Sequence, residues 1–270
     1  MFLYASAFNG AMSNWDTSQV LNMESMFERA TVFNQPIRDW NVNSVVNMAS
    51  MFEYAEAFNQ PLDIWDVSAV ATMTAMFKNA NMFDQPIGNW NVSSVTLMNS
   101  MFENASTFNQ SIIDWDVASV TRMDLLFKNA LAFNESIANW DTGEVLTMRE
   151  MFMGAADYDK PMDNWNVSYV TTMESMFQNA SSFNSAISSW NVASVTTMRR
   201  MFYGTDVFTV PIDNWNVRRV TTMESMFENA QAFDQTLNSW RVSGVGNMNS
   251  MFKNATSYDQ ALDRWDLGTV

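Results

Sequence analysis

Cysteine and histidine are both missing from the 270 residues. Their absence removes disulfides, thiolate metal sites, the commonest general base and the commonest zinc ligand. Most familiar catalytic constellations cannot be assembled, and an enzyme is not expected. Positive charge is also scarce, with 14 Lys and Arg against 29 Asp and Glu and a formal charge of −15. A chain this acidic repels phosphate backbones and anionic headgroups, so nucleic acid is not an expected partner. No uninterrupted apolar run reaches the roughly 18 residues of a membrane-spanning helix, and direct membrane insertion is not expected. No basic, apolar leader precedes the first repeat, but Met1 already falls inside the repeat pattern, so that absence says little. What remains is 47% hydrophobic residues, enough for a substantial core, and 16% charged residues to keep it soluble.

Set out in rows of 25, the chain falls into register from end to end without an insertion. Trp stands at 15, 40, 65 and every further step to 265, which accounts for all 11 tryptophans. Val occupies 20, 45 and each step to 270, and Met occupies 23, 48 and each step to 248. Phe recurs from 2 to 252, preceded by Met except at Leu126; Ala recurs from 5 to 255 except at Thr205; Phe or Tyr recurs from 8 to 258. A fixed period of this length predicts a solenoid, in which no unit buries its apolar face alone and stacked units share one core. The whole of 1–270 thus reads as a single array of about eleven repeats.

Two periodicities alternate inside a unit. Around each Trp the pattern W-x-V, as at Trp40 and Val42, has the period of two of a short half-buried strand. From Val45 through Met48, Met51 and Phe52 to Ala55 the spacing is three to four, the stripe of a short α- or 3₁₀-helix, with Ser18, Asn43, Ser68, Ser93, Gly143 and Ser168 as N-caps. The fold class expected is therefore an α/β repeat solenoid whose coil is one short parallel strand plus one short helical segment. Equivalent side chains stack on themselves, Trp near Trp and Phe on Phe. Asn or Asp follows the second aromatic at 9, 34, 59 and onward to 259, with Thr209 the lone departure, and predicts an internal polar ladder.

These units resemble those of the BspA-like leucine-rich-repeat surface proteins, which carry M-x-x-M-F-x-x-A-x-x-F-N and W-x-V-S-x-V-x-x-M. Here Met173, Met176, Phe177, Ala180, Phe183 and Asn184, then Trp190, Val192, Val195 and Met198, carry the likeness, and it spans essentially the whole chain. It implies a leucine-rich-repeat-like solenoid on a secreted or surface-anchored protein, acting in adhesion or host interaction without catalysis. Neither end has an atypical capping unit, and the chain stops in mid-unit. The array therefore reads as a segment of a longer one, or as a protomer whose ends its neighbours cover.

The residue after each Trp gives the row Asp16, Asn41, Asp66, Asn91, Asp116, Asp141, Asn166, Asn191, Asn216, Arg241 and Asp266, and the first nine form the candidate ligand-facing stripe. If Trp faces inward these face outward. Their oxygens suit sugar hydroxyls or Ca²⁺, but no unit holds the dense D-x-D-x-D-G spacing of a calcium loop, so no cofactor is assigned. The plain alternative is solvated turn surface. The Met and Trp ladders read as core rather than as a soft-metal or sugar platform. Sequons at Asn91, Asn104, Asn109, Asn134, Asn166, Asn179 and Asn254 permit secretion without showing it. The ninth unit, with Thr205 and Thr209, is the irregular row, read as a lapse of packing in preference to a contact point. Two functions follow as expectations. One is a non-catalytic extracellular or cell-surface scaffold that binds a protein or surface glycan; the other is a filament or coat subunit binding copies of itself through uncapped ends.

Overall fold

The computed structural model describes residues 1–268, so the final Val of the repeat row, Val270, lies outside the described residues. The chain winds through successive coils, each named here by its 25-residue row: coil 1 is 1–25, coil 5 is 101–125, and coil 11 begins at 251. Among the described residues no α- or 3₁₀-helix forms, and regular strand is absent; parallel pairing is confined to isolated bridges linking Asn22, Asn47, Thr72, Leu97, Arg122, Thr147, Thr172, Thr197, Thr222 and Asn247 in succession. The solenoid stands. Its expected strand at the Trp and its expected helical segment, with the N-caps assigned to it, do not.

Each coil is instead a polygon of tight turns. In the first boundary segment, bonds run from Met26 N to Met23 O, Glu28 N to Ser25 O, Ala30 N to Phe27 O and Phe33 N to Ala30 O. The intervening N–H groups of Met23, Ser25, Phe27 and Arg29 point the other way and donate to Asn47, Ala49, Met51 and Glu53 of the next coil at 2.7–2.9 Å. Half of the donors thus close turns and half stitch coils together, as the alternate donors of a parallel strand would. Turns 23–26 and 27–30 need a left-handed third residue, and Ser25 and Arg29 have φ of 52° and 59°. The second such position recurs as Asn79, Asn104, Asn129, Gly154, Asn179, Gly204, Asn229 and Asn254. Asn and Gly are the residues that tolerate this conformation. Val45, Met48, Met51, Phe52 and Ala55 are all fully buried, as a helix stripe would be, but a ribbon of turns buries them.

The core is a set of side-chain stacks running the length of the array. Phe27 lies 3.9 Å from Phe33 within its coil and 5.6 Å from Phe52 in the next. Trp65, Trp90 and Trp115 follow one another at 6.5 Å with planes within 4°. Burial of each ring contributes about 1.5–3 kcal/mol, and ring stacking adds about 0.5–1.5 kcal/mol. The indole N–H is satisfied across coils: Trp40 donates to Met12 O, Trp65 to Ile37 O, and so on to Trp265 and Leu237 O. Trp15, in the first coil described, is 40% exposed.

The Asn/Asp ladder at 9, 34 and onward forms as a ladder. Each Asn or Asp side-chain oxygen accepts the backbone N–H of the equivalent residue one coil on, from Asn34 N to Asn9 Oδ1 at 2.9 Å through Thr209 N to Asn184 Oδ1 at 2.8 Å, and again from Asp259 N to Asp234 Oδ1 at 2.9 Å, the step after Thr209 being broken. It is not internal, however: its members are half-buried or exposed along one corner, because their oxygens reach along the array and not into it. In the irregular ninth coil, Thr205 is fully buried with its hydroxyl donating to Phe202 O at 2.7 Å, so the core does not lapse there.

Candidate functional site

Two surfaces lie outside these stacks and carry most of the charged variation. The first is the turn ribbon. Its position 24 row runs Asp124, Arg149, Glu174, Arg199 and Glu224 through coils 5 to 9. Arg199 sits between Glu174 at 3.2 Å and Glu224 at 3.3 Å, while Lys128 meets Glu150 at 2.7 Å and Lys253 meets Glu228 at 2.7 Å. The hydrogen bond to Glu224 holds the Arg199 guanidinium above its ordinary value, and that from Lys253 holds Glu228 below its own. Here opposite charges from neighbouring coils are paired with one another, which leaves this face largely self-satisfied.

The second is the Trp edge, built by residues 13–19 of each coil. All nine stripe residues, Asp16, Asn41, Asp66, Asn91, Asp116, Asp141, Asn166, Asn191 and Asn216, are exposed there. Each accepts the backbone N–H two residues on: Ser18 N to Asp16 Oδ1 at 3.0 Å, Ser68 N to Asp66 Oδ1 at 3.1 Å, Ala118 N to Asp116 Oδ1 at 3.1 Å and Gly143 N to Asp141 Oδ1 at 3.0 Å. These are Asx turns, in which a short side chain completes a bend the backbone cannot close alone. Bonding to Ser18 and Ser68 draws the carboxyls of Asp16 and Asp66 below the usual range. One oxygen of each stripe residue is therefore committed to the fold, and the rest of the group faces solvent.

Recesses open between coils along this edge, and a pair of them are built alike. Between coils 5 and 6 a 320 Å³ recess is lined by Ile113, Asp114, Trp115, Asp116, Asn139 and Asp141. Between coils 9 and 10 a 330 Å³ recess has the same construction around Trp215, but Arg218 and Arg241 enter it beside Asn214, Asn216 and Ser239. Its carboxylate, Asp213, accepts Ser239 N at 2.9 Å and is held to coil 10. Arg218, Arg219, Arg241 and Arg264 are exposed, and among the described residues none of them makes an ion pair. The sequence places Arg241 in the row after Trp without revealing this grouping, although the run Arg218-Arg219 in the coil before it is a visible signal.

Among the described residues no group of three or more Asp and Glu is arranged to hold a metal ion, and no helix is long and apolar enough to cross a membrane.

No curated protein matches the chain. Among solved structures, a TLR13–ssRNA13 complex aligns at 9% identity and a TM-score of 0.33, over 91% of this chain and 38% of that one. An internalin, inlF, of Listeria monocytogenes str. 4b F2365 aligns at 9% identity and 0.29, over 88% of this chain and 80% of that one. The chain thus spans well under half of the first of these, and scores this low say nothing of function. One family model matches three times in succession, over residues 1–87, 73–190 and 173–270, and so from end to end. The chain belongs to the family described as "Mycoplasma protein of unknown function, DUF285".

Proposed function

We propose that this repeat scaffold is a non-catalytic protein-interaction module displayed outside the cell or on its surface, which binds protein or surface glycan by many equivalent contacts summed along its length. One observation carries the reading: the apolar side chains that build the coil are almost invariant, whereas charged variation is concentrated outside those stacks, on the turn ribbon and the Trp edge. A catalyst needs one differentiated cleft in which titratable groups converge. A scaffold needs a long, rigid surface. The likeness of the repeat to BspA-like surface proteins supports the location and an adhesive role. Antibody raised against the chain should label intact cells of the source organism; label that appears only after permeabilisation would refute surface display.

A further inference from the structure

We infer that the Trp edge of coils 5 to 10 is a self-recognition surface on which two copies of this chain pair side by side and antiparallel, the Arg218–Arg241 recess of each receiving the carboxylates of Asp114, Asp116 and Asp141 of the other. The inference goes beyond the scaffold reading, which a strictly monomeric rod would leave standing.

Three features of the edge point to a second copy. The two recesses are built alike and have nearly the same size, 320 and 330 Å³, but opposite lining charge. In coils 5 and 6 the edge segments 113–119 and 138–144 hold Asp114, Asp116, Asp141 and Glu144 and no Lys or Arg. In coils 9 and 10 the equivalent segments hold Arg218, Arg219 and Arg241 against Asp213 alone.

The spacing is also self-complementary. The acidic recess lies between Trp115 and Trp140 and the basic one between Trp215 and Trp240, so their midpoint falls between Trp165 and Trp190. A two-fold axis at that point brings acid onto base twice over, the closed, isologous arrangement in which each contact occurs in duplicate. Parallel pairing in register would instead set acid against acid and base against base. Around the midpoint, segments 163–169 and 188–194 carry Asp163 as their sole charged residue, and Tyr169 stands 60% exposed beside the axis. A large exposed aromatic within a nearly neutral strip, flanked by complementary charge, has the make-up of an interface centre.

The guanidiniums suit the role. Arg offers planar, paired donors to carboxylates, and these arginines have no carboxylate partner within the described chain. The ribbon face, which also alternates in sign, satisfies its charges internally and leaves few for a partner.

The test uses the full chain in sedimentation equilibrium with two variants. Variant A carries Arg218→Glu and Arg241→Glu. Variant B carries Asp114→Lys with Asp116→Asn and Asp141→Asn, the asparagines keeping the oxygen each turn requires. Circular dichroism confirms that both retain the parent spectrum; should B not, Asp114→Lys alone replaces it.

The parent should dimerise, with its dissociation constant rising about tenfold or more between low and high salt, because exposed charge pairs are screened. Each variant alone should dimerise about 100-fold more weakly, since like charges then face each other, whereas an equimolar mixture of A and B should form the heterodimer. A parent that stays monomeric at roughly millimolar concentration overturns the proposal. So does a dimer that neither variant weakens, or a mixture no more associated than its components.

Discussion

The recesses at coils 5/6 and 9/10 stand on one backbone and differ only in what projects from it. Trp115 and Trp215 are buried alike, both indoles donate to the carbonyl 28 residues back, and the turn after each is closed by an Asx oxygen, Asp116 in one and Asn216 in the other. Around these shared anchors the exposed positions reverse sign. In this solenoid the coil is defined by residues that touch the coils above and below. Edge positions touch little, so they vary at small cost to the fold and carry any distinction between one coil and another.

The comparison breaks if the two sites differ in stability. Trp115→Ala and Trp215→Ala should each cost about 3–5 kcal/mol, because both remove a buried ring, leave a cavity and abandon a backbone carbonyl. Urea midpoints should fall by similar amounts, and a difference above about 1 kcal/mol would show that edge charge couples to packing.

A smaller effect of opposite sign is expected between the two sites, at coil 7. Tyr158 occupies a row that is Phe in most coils, is fully buried, and its hydroxyl has no hydrogen-bond partner. Tyr158→Phe should stabilise the chain by about 1 kcal/mol, as removing an unsatisfied buried hydroxyl does. The same row titrates in alkali. Burial pushes the Tyr158 phenol well above its usual value and, with the charges of Asp234 and Asp213, raises Tyr258 to about 12. The unfolded phenol ionises near 10, so the stability held below pH 10 should drain away between pH 10 and about 12. Thermal melts across that range should fall less steeply for a Tyr158→Phe, Tyr258→Phe double variant.

The smallest expected effect sharpens the contrast at the edge itself. Asp116→Ala deletes the oxygen that accepts Ala118 N and should cost about 0.5–1 kcal/mol, as loss of a local cap does. Arg241→Ala deletes no side-chain oxygen and should stay within about 0.5 kcal/mol of the parent. Chemical denaturation of the two variants side by side checks the pair. Equal losses would mean that the Asx bond at Asp116 contributes nothing.

The helix expected at 45–55 and the ribbon of turns found there bury the same five residues, which is why spacing alone did not separate them. The signal that does separate them was local and went unread. Asn or Gly stands just before the Ala position, filled by Thr205 in the ninth coil, in eight of eleven rows, where φ is positive, and a helix interior has no use for that preference. The expected polar ladder formed because its donors and acceptors repeat at the coil spacing. It proved superficial because a list of residues does not say which way a side chain leaves its corner.

Readable from the residues alone were the period, the solenoid, the identity of nearly every core position and the self-stacking of Trp and Phe, since all of these follow from which side chains must leave water. The tertiary structure alone decided how the backbone meets that demand. The donors of Met23, Ser25, Phe27 and Arg29 find acceptors 24 residues away, and those bonds, absent from any single coil, make a chain of turns as good a solution as strand and helix. It alone decided, too, that Arg218 and Arg241, 23 residues apart in sequence, enter one recess, because stacking coils turns a period in sequence into adjacency in space.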